Sequence, residues 1–243
     1  MHLLQFDTLE STNRYCEILD LKHVEAFTVV WAKQQTGGIG QRGNSWHSAP
    51  GLNLTFSIVL HPRNLQAAQQ FNLTIQCSVA IAQCIESTLC ASRCTTPVYI
   101  KWPNDIYIGH SKVCGTLITN QLAGNNIHSA VCGICLNVNE KLFPTCLPNP
   151  TSLAATTGRH YDLPQLLQEL CKQIDSNLQN TPFDETLHYY LDHLYLKGVE
   201  AHYLYKGTPI TATITGINQF GHLLLTTADN QHLCCQLKEL VFL

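Results

Sequence analysis

The sequence contains few charged residues and no cluster of either sign. Asp, Glu, Lys and Arg make up 13% of the 243 residues, and the formal net charge is −3. Proteins that bind nucleic acids through a basic surface carry a marked excess of Lys and Arg. No helix-turn-helix pattern precedes the first predicted strand either. The composition therefore predicts that DNA is not a partner.

Long apolar segments are also missing. No uninterrupted run of about 18 apolar residues, the length expected of a membrane-spanning helix, occurs in the chain. The first ten residues, MHLLQFDTLE, include Asp7 and lack the sustained apolar run of a secretory signal. We expect no membrane partner and a cytoplasmic location.

Cysteine is abundant, but its spacing lacks the pattern of a metal site. The 12 cysteines include one C-x-x-C, Cys132 to Cys135, with no second pair and no His partner at zinc spacing. Cys77, Cys84 and Cys114 lie in apolar patterns, where a free thiol behaves as a small hydrophobic side chain. The histidines never form H-x-x-x-H. We predict reduced core thiols and no metal bound by protein ligands.

Two familiar nucleotide-binding glycine motifs are absent or lack their context. No G-x-x-x-x-G-K-[ST] phosphate loop occurs. Gly38 to Gly43 matches G-x-G-x-x-G, but that motif requires a following helix and an acidic residue about 20 positions further on. A strand follows here instead, and no Asp or Glu occurs between Glu25 and Glu86. Any ATP chemistry must use a site of another kind.

What the chain does contain is a long glycine-rich loop, QTGGIGQRGNSW, from Gln35 to Trp46. It connects an apolar strand at Val29–Ala32 with another at Leu52–Leu60. Its glycines allow positive φ and close approach of a ligand, and Arg42 adds a fixed positive charge. Because polar connections of this length between core strands usually serve a function, we interpret the loop as a lid over an anionic, nucleotide-like ligand.

The remaining pattern predicts a mixed α/β domain followed by a small β domain. Helical or strand periodicity predicts strands at 3–9, 98–100, 106–108, 113–119 and 127–138, and helices at 11–19, 66–90, 149–157, 163–178 and 183–194. From about Gly198, Thr-rich alternation with turns at 218–221 and 229–230 predicts a small antiparallel barrel or sheet. We place the domain boundary between residues 1–196 and 197–243.

Two polar features adjoin the ends of predicted strands. Ser11, Thr12 and Asn13 form a helix N-cap in the simplest reading, and alternatively face a small polar ligand. Lys101, in KWPND, lies in a strand-end turn stiffened by Trp102 and Pro103, where its ammonium suits phosphate or carboxylate oxygens. A solvated surface lysine is the alternative at this position, and Lys112 is a weaker candidate for the same role.

Together these segments resemble the biotin protein ligases. The resemblance rests on six pieces in family order: Ser11-Thr12-Asn13, QTGGIGQRGNSW, LNLTFSIVL, KWPNDIYI, KVCGTLI and GICLNVN. Without a preceding DNA-binding domain, the chain looks like the monofunctional class that has no repressor activity. The resemblance implies a mixed sheet flanked by helices, like that of class II synthetases, with a small C-terminal SH3-like β-barrel.

The activity implied by the resemblance has two steps. Biotin is adenylated with ATP and Mg²⁺ to biotinyl-5′-AMP, and the biotinyl group then passes to one lysine of a biotin carboxyl carrier protein domain of a carboxylase. Lys101 and Arg42 would be catalytic. Biotin would be bound by Ser11, Thr12, Asn13, Gln35, Ile39, Gly40, Gln41, Lys101, Gly115 and Gly133, and ATP by Gly38, Arg42, Trp46, Asn104, Lys112 and Asn137. Sheet edges could pair to form a homodimer.

The chain departs from the family pattern at several positions. Three positions that are commonly arginine in the family loop hold Ile39, Gln41 and Asn44, and Cys135 replaces a glycine and could narrow the pocket. Each charge-assisted contact contributes about 1.5–3 kcal/mol, so the loss of such contacts could slow adenylation. A lipoate or octanoate transferase of the same superfamily, a catalytically impaired biotin-binding protein and a purely structural domain are the alternatives.

Overall fold

The computed structural model describes residues 1–38, 40 and 46–243. Within them the chain forms two β-sheets and a set of helices. The strands of the first sheet are β1 (His2–Leu9), β2 (Thr28–Gln35), β3 (Leu54–Leu60), β4 (Val98–Lys101), β5 (Asp105–Ile108), β6 (Ser111–Ala123) and β7 (Asn126–Leu136). The helices are α1 (Thr12–Glu17), α2 (Phe71–Ala91), α3 (Leu153–Thr157), α4 (Leu163–Asn180) and α5 (Phe183–Asp192).

The first sheet is mixed, with strand order β1-β2-β3-β7-β6-β5-β4. Only β1 and β2 pair in parallel, and the other neighbours are antiparallel. Alternate residues of its strands enter two different apolar clusters: Val29 and Ile58 lie in the large core, whereas Val30 and Val59 lie in a smaller one with Cys16 of α1. This alternation means that the sheet is covered on both faces.

Helix α2 covers the larger core. Its buried residues include Leu73, Cys77, Ile81 and Ile85, at the helical spacing of an amphipathic segment, and α4 and α5 pack against it. Ala67–Ala91, which adds the 3₁₀ turn before α2, passes the length and hydropathy criteria for a membrane span, with 61% of the tested window buried inside the protein. The core helix of a protein without any membrane segment meets the same criteria.

The second sheet is antiparallel and follows α5. It comprises β8 (Glu200–Tyr205), β9 (Thr208–Ile217), β10 (Leu223–Thr227), β11 (His232–Cys235) and β12 (Leu240–Phe242), in the order β11-β10-β9-β8-β12. The predicted mixed sheet with flanking helices and a small antiparallel unit is confirmed. The division of the chain into domains at 196/197 stays a prediction.

Some predicted boundaries were wrong. The helix predicted over 149–157 begins only at Leu153, because Ser152 caps it by accepting a hydrogen bond from the Ala155 N–H, 3.0 Å away, and Asn149 has φ of 36°. Strand β6 runs four residues beyond its predicted end at 119. All twelve cysteines are free thiols, and seven of them are buried as predicted for core thiols, whereas Cys90, Cys146 and Cys234 are exposed.

Candidate functional site

A cavity of about 310 Å³ lies on the α1 face of the first sheet. Its floor follows from strand register, because residues directly opposite each other on neighbouring strands share a face. One row crosses five strands through Lys101, Asp105, Gly115, Cys135 and Thr55. Most side chains in the middle of this row are small or absent, which leaves room above the sheet.

A second row, two residues along the strands, runs through Leu117, Gly133 and Ser57. Here α1 packs directly against the sheet. A Cβ atom on Gly133 would lie less than 3.0 Å from the amide group of Asn13. Glycine at this position therefore lets the Asn13 side chain lie against the strand, where its Nδ2 donates to the Leu117 carbonyl at 3.3 Å.

The beginning of α1 supplies a buried polar network at one end of the cavity. Ser11 is the N-cap, and Ser11, Thr12 and Asn13 are each less than a tenth exposed. The Gln35 side-chain oxygen accepts hydrogen bonds from the Thr12 N–H at 2.8 Å and the Thr12 hydroxyl at 3.2 Å. This arrangement combines the two alternatives for the triplet: the N-cap is present, and the residues also face the cavity.

Ser57 completes this network, although it was not among the predicted site residues. Its hydroxyl is fully buried, 2.7 Å from the Thr12 hydroxyl and within hydrogen-bonding distance of Asn13 Oδ1. Ser57 lies within the apolar run LTFSIVL, so the pattern predicts only a strand interior. A hydroxyl inside such a run is the one sequence signal that could have identified it, since buried polar groups need partners.

The other end of the cavity is cationic. Lys101 Nζ donates to the Tyr107 hydroxyl at 3.2 Å, and Lys112 Nζ pairs with the Asp105 carboxylate at 2.7 Å. Burial lowers the pKa of the Lys101 ammonium from its usual 10.5; the nearby positive charge of Lys112 also lowers it, whereas Asp105 opposes the shift. Two fixed cations near a buried polar network suit a ligand that has a polar head and an anionic end.

Lys112 also helps to close the cavity. Its Nζ lies 5.2 Å from the centre of the Trp46 ring, and a Cβ on Gly115 would lie 3.0 Å from that same ring.

Burial raises the pKa of the Cys135 thiol to about 12, and the thiol is 3.9 Å from Gln35 Nε2. Cys135 therefore presents a neutral side chain to the cavity, where the family pattern leaves only glycine.

The structure brings many of the predicted site residues together. Ten of them line the cavity: Ser11, Thr12, Asn13, Gln35, Gly40, Trp46, Lys101, Lys112, Gly115 and Gly133. Gly38 does not line it, and its carbonyl accepts a hydrogen bond from the Trp46 N–H at 3.0 Å. Ile39, Gln41 and Arg42 lie outside the described residues, so their predicted roles stay predictions.

Asn104 and Asn137 also lie outside the cavity lining. Both are nearly fully buried. The Asn104 amide donates to the Thr116 carbonyl and hydroxyl, and the Asn137 amide donates to the Thr151 carbonyl at 3.0 Å. Their assignment to ATP stays a prediction, and both side chains hold the strands and loops that carry the cavity.

Several lining residues were not predicted as site residues. They are Trp102, Pro103, Asp105, Thr116, Leu117, Ile134, Cys135, Leu240, Val241 and Phe242. Asp105 could have been selected, because it lies four residues after Lys101 across a tight hairpin. The strand Leu240–Phe242 offered no such signal, since it is an ordinary apolar segment more than 130 residues away from Lys101 in the sequence.

The mixed sheet thus carries a buried polar network, a cavity with a small-residue floor and a lysine at a strand end. A family model described as the biotin/lipoate A/B protein ligase family matches residues 5–137. That range contains every lining residue except those of β12. The chain belongs to the biotin/lipoate A/B protein ligase family, and the resemblance stated from the motifs is confirmed.

Relatives and solved structures agree with this assignment. A bifunctional ligase/repressor BirA of Bacillus subtilis is 33% identical over 172 residues, which cover 70% of this chain and 51% of the relative. The chain thus spans about half the length of the first curated relatives it matches. A biotin protein ligase from Aquifex aeolicus, solved in complex with biotin and ATP, superposes with a TM-score of 0.77 at 26% identity, covering 99% of this chain and 97% of that one. A Leishmania major biotin protein ligase shares the fold, with a TM-score of 0.66 at 20% identity.

Proposed function

We propose that this chain is an ATP-dependent biotin–protein ligase. The observation that carries the proposal is that the Ser11–Asn13 network, the glycine floor and Lys101 meet in the same cavity. A polar network suits the ureido ring of biotin, an apolar wall suits its valeryl chain, and a fixed cation suits its carboxylate. The similar Aquifex aeolicus protein was solved with biotin and ATP.

The first step brings two anions together. A carboxylate oxygen of biotin attacks the α-phosphorus of ATP, the bond to the departing pyrophosphate breaks, and biotinyl-5′-AMP forms. Lys101 bridges the carboxylate and the α-phosphate and offsets their charge, because preorganised cations stabilise the charge that develops in such a transition state. Arg42 would support the phosphate, and Trp46 and Lys112 would lie on the nucleotide side.

Mg²⁺ enters this scheme with the phosphates of ATP. Within residues 1–38, 40 and 46–243, no group of three His, Cys, Asp or Glu side chains could hold a metal ion. The one carboxylate in the cavity lining, that of Asp105, is paired with Lys112. The lining therefore fits a metal that is carried by the substrate rather than one held by protein ligands.

The second step transfers the biotinyl group. The amine of an acceptor lysine attacks the carbonyl of the mixed anhydride, an amide bond forms, and AMP leaves with the bonding electrons. We propose that the acceptor is a biotin carboxyl carrier protein domain of a carboxylase and that the reaction takes place in the cytoplasm. Because the adenylate hydrolyses in water, a lid over the cavity would protect it until the acceptor docks.

Mass spectrometry of a carrier domain tests the proposal. Incubation with this protein, biotin and MgATP should add the mass of one biotin, and Lys101→Ala should abolish the gain. Lys33→Ala is the matched control, because Lys33 is an exposed lysine that pairs with Asp7 at 2.8 Å and does not line the cavity. No gain and no pyrophosphate release with the wild-type protein would favour the impaired biotin-binding alternative.

Ligand preference distinguishes the proposed biotin ligase from the alternative, a lipoate or octanoate transferase. The matched family includes both chemistries in its name. A thermal-shift comparison of biotin with lipoate should show stabilisation by biotin alone. A larger shift with lipoate would contradict the proposed substrate.

A further inference from the structure

The last strand of the second sheet forms one wall of the cavity. Leu240, Val241 and Phe242 of β12 line it beside Lys101. This strand lies outside residues 5–137, which the family model matches. The centre of the Phe242 ring is 4.6 Å from Lys101 Nζ, within the range at which an ammonium is attracted to the face of an aromatic ring.

Neighbouring residues of the second sheet hold the Phe242 ring in place. Phe242 lies opposite Tyr203 in the register of β12 and β8, and the two rings meet edge to face with centres 5.3 Å apart. Tyr203 is fully buried. At the start of the strand, the Glu239 carbonyl accepts a hydrogen bond from the Lys206 N–H at 2.7 Å. The second sheet thus presents the ring to Lys101 on a fixed support.

The contacts of Lys101 leave part of its ammonium available. An ammonium has three donors, and one of them is directed to the Tyr107 hydroxyl. The Tyr107 ring centre is 5.2 Å from Nζ, and the Tyr107 hydroxyl is much nearer at 3.2 Å, so Nζ meets Tyr107 at its hydroxyl edge and Phe242 at its ring. The Phe242 ring attracts the charge without taking a hydrogen bond in the way that a carboxylate would. Within residues 1–38, 40 and 46–243, only the Tyr107 hydroxyl accepts a hydrogen bond from Nζ, which leaves donors for anionic oxygens.

We propose that Phe242 is a positioning residue that holds the charged Lys101 ammonium toward the cavity through the face of its ring. The proposal rests on the proposed function for its consequence in catalysis. A Lys101 held between the Tyr107 hydroxyl and the Phe242 ring loses little conformational freedom when the carboxylate and the α-phosphate arrive. Among the described residues, the other titratable groups that face Lys101 are Asp105, Lys112 and the Tyr107 phenol, and β12 contributes none.

Two variants separate the aromatic ring from simple packing. Phe242→Leu keeps an apolar side chain but removes the ring, and Phe242→Tyr keeps the ring. With pyrophosphate release from biotin and MgATP as the readout, Phe242→Leu should lower kcat about 3- to 30-fold, the range that corresponds to loss of a cation–π contact, with little change in the KM for biotin. Phe242→Tyr should retain the wild-type rate. Phe220→Leu is the control, because it makes the same change at an exposed ring of the second sheet that does not line the cavity.

A second readout does not depend on the substrate. The pH dependence of Lys101 acetylation by acetic anhydride, followed by peptide mass spectrometry, reports the pKa of the ammonium in the free protein. Phe242→Leu should lower this pKa below that of the wild-type protein, because the ring stabilises the charged form, and Phe220→Leu should not. An unchanged pKa in Phe242→Leu overturns the proposal.

Pyrophosphate release and acetylation together show which proposal fails, the proposed function or the role of Phe242. A wild-type protein that releases no pyrophosphate refutes the proposed function, while acetylation still decides whether Phe242 acts on Lys101. Wild-type kcat in Phe242→Leu, or equal losses in Phe242→Leu and Phe242→Tyr, would show that the ring does not position Lys101.

Discussion

At the residue scale, the site depends on side chains that are small or absent. Gly115, Gly133 and Ser57 lie on the cavity face of their strands, where larger residues would fill the space that α1 and Trp46 occupy. The polar network of Thr12, Asn13 and Ser57 is buried, and a buried polar group that loses its partner costs about 1–3 kcal/mol. Adding a single methyl group at one of these positions should therefore disturb the network.

Gly133→Ala should lower biotin affinity at least about tenfold, because the new Cβ displaces the Asn13 amide from the strand and one lost buried hydrogen bond corresponds to about that factor. Isothermal titration with biotin measures the change. Gly37→Ala is the matched control: its Cβ would meet chiefly the side chain of Glu10, which is exposed and can move. Equal affinities for the two variants would contradict the role assigned to Asn13.

Adenylation should fall at alkaline pH as Lys101 loses its charge. Burial lowers the pKa of the Lys101 ammonium below 10.5, so the charged form that the reaction needs disappears at a lower pH than for an exposed lysine. Burial also raises the pKa of the Tyr107 phenol, which keeps that group neutral in the same range.

The initial rate of pyrophosphate release against pH measures this alkaline limb. Lys101→Arg should be slower but should lack the limb, since a guanidinium remains charged. A limb that persists unchanged in Lys101→Arg would assign it to another group.

At the scale of elements, a buried carboxylate holds the segment that follows the glycine-rich loop. Glu140 is 2% exposed. It accepts hydrogen bonds from the Ala49 N–H at 3.2 Å and from the Asn53 amide, and its carboxylate is 2.9 Å from His47 Nε2. These contacts fix the segment beginning at Trp46, which covers the cavity floor.

Glu140→Gln should lower the free energy of unfolding by about 1–3 kcal/mol, because an amide cannot accept at both oxygen positions and leaves a buried donor unpaired. Urea denaturation measures the loss, and hydrogen exchange at residues 46–53 should show reduced protection. Glu25→Gln, at an exposed carboxylate, should have no measurable effect. Equal stability of the two variants would mean that Glu140 does not hold this segment.

Much of the fold could be predicted from the sequence, because most elements carry strong local patterns. The helix predicted over 163–178 matches α4, since Asp162 caps it and Pro164 suits its first turn. The site was predictable where polar residues adjoin strand ends, as at Ser11–Asn13 and Lys101. Ser57 and Phe242 were not predictable, because their roles come from strand register and from packing between distant segments.

At the scale of the whole molecule, the second sheet docks against the turn that holds Lys101. The Trp102 indole N–H donates to the Gly221 carbonyl at 2.8 Å, and the Tyr190 hydroxyl donates to the Pro103 carbonyl at 2.8 Å. Phe242 approaches Lys101 from the same sheet. The position of Lys101 therefore depends on contacts from α5 and from the second sheet as well as on its own hairpin.

Gly221→Ala should weaken this docking, and its loss in unfolding free energy should exceed the cost of backbone strain in the turn alone. Gly221 has φ of 79°, and a Cβ there would lie less than 3.0 Å from the Phe71 ring, which stacks edge to face on Tyr190 with centres 6.3 Å apart. The left-handed backbone costs a residue with a Cβ about 1–2 kcal/mol, and the overpacked contact adds about 1–3 kcal/mol. Gly207 has φ of 84°, and no atom of the described residues lies within 4 Å of its Cβ position, so Gly207→Ala carries only the backbone cost.

Urea denaturation of the two variants isolates the docking contribution as the difference between their losses in unfolding free energy. We expect Gly221→Ala to lose about 1–3 kcal/mol more than Gly207→Ala. We also expect it to release pyrophosphate more slowly, since Trp102 then loses a firm anchor next to Lys101. Equal stability losses would show that Phe71 yields without cost. A normal rate in a destabilised Gly221→Ala would show that the lysine turn holds its shape without the second sheet.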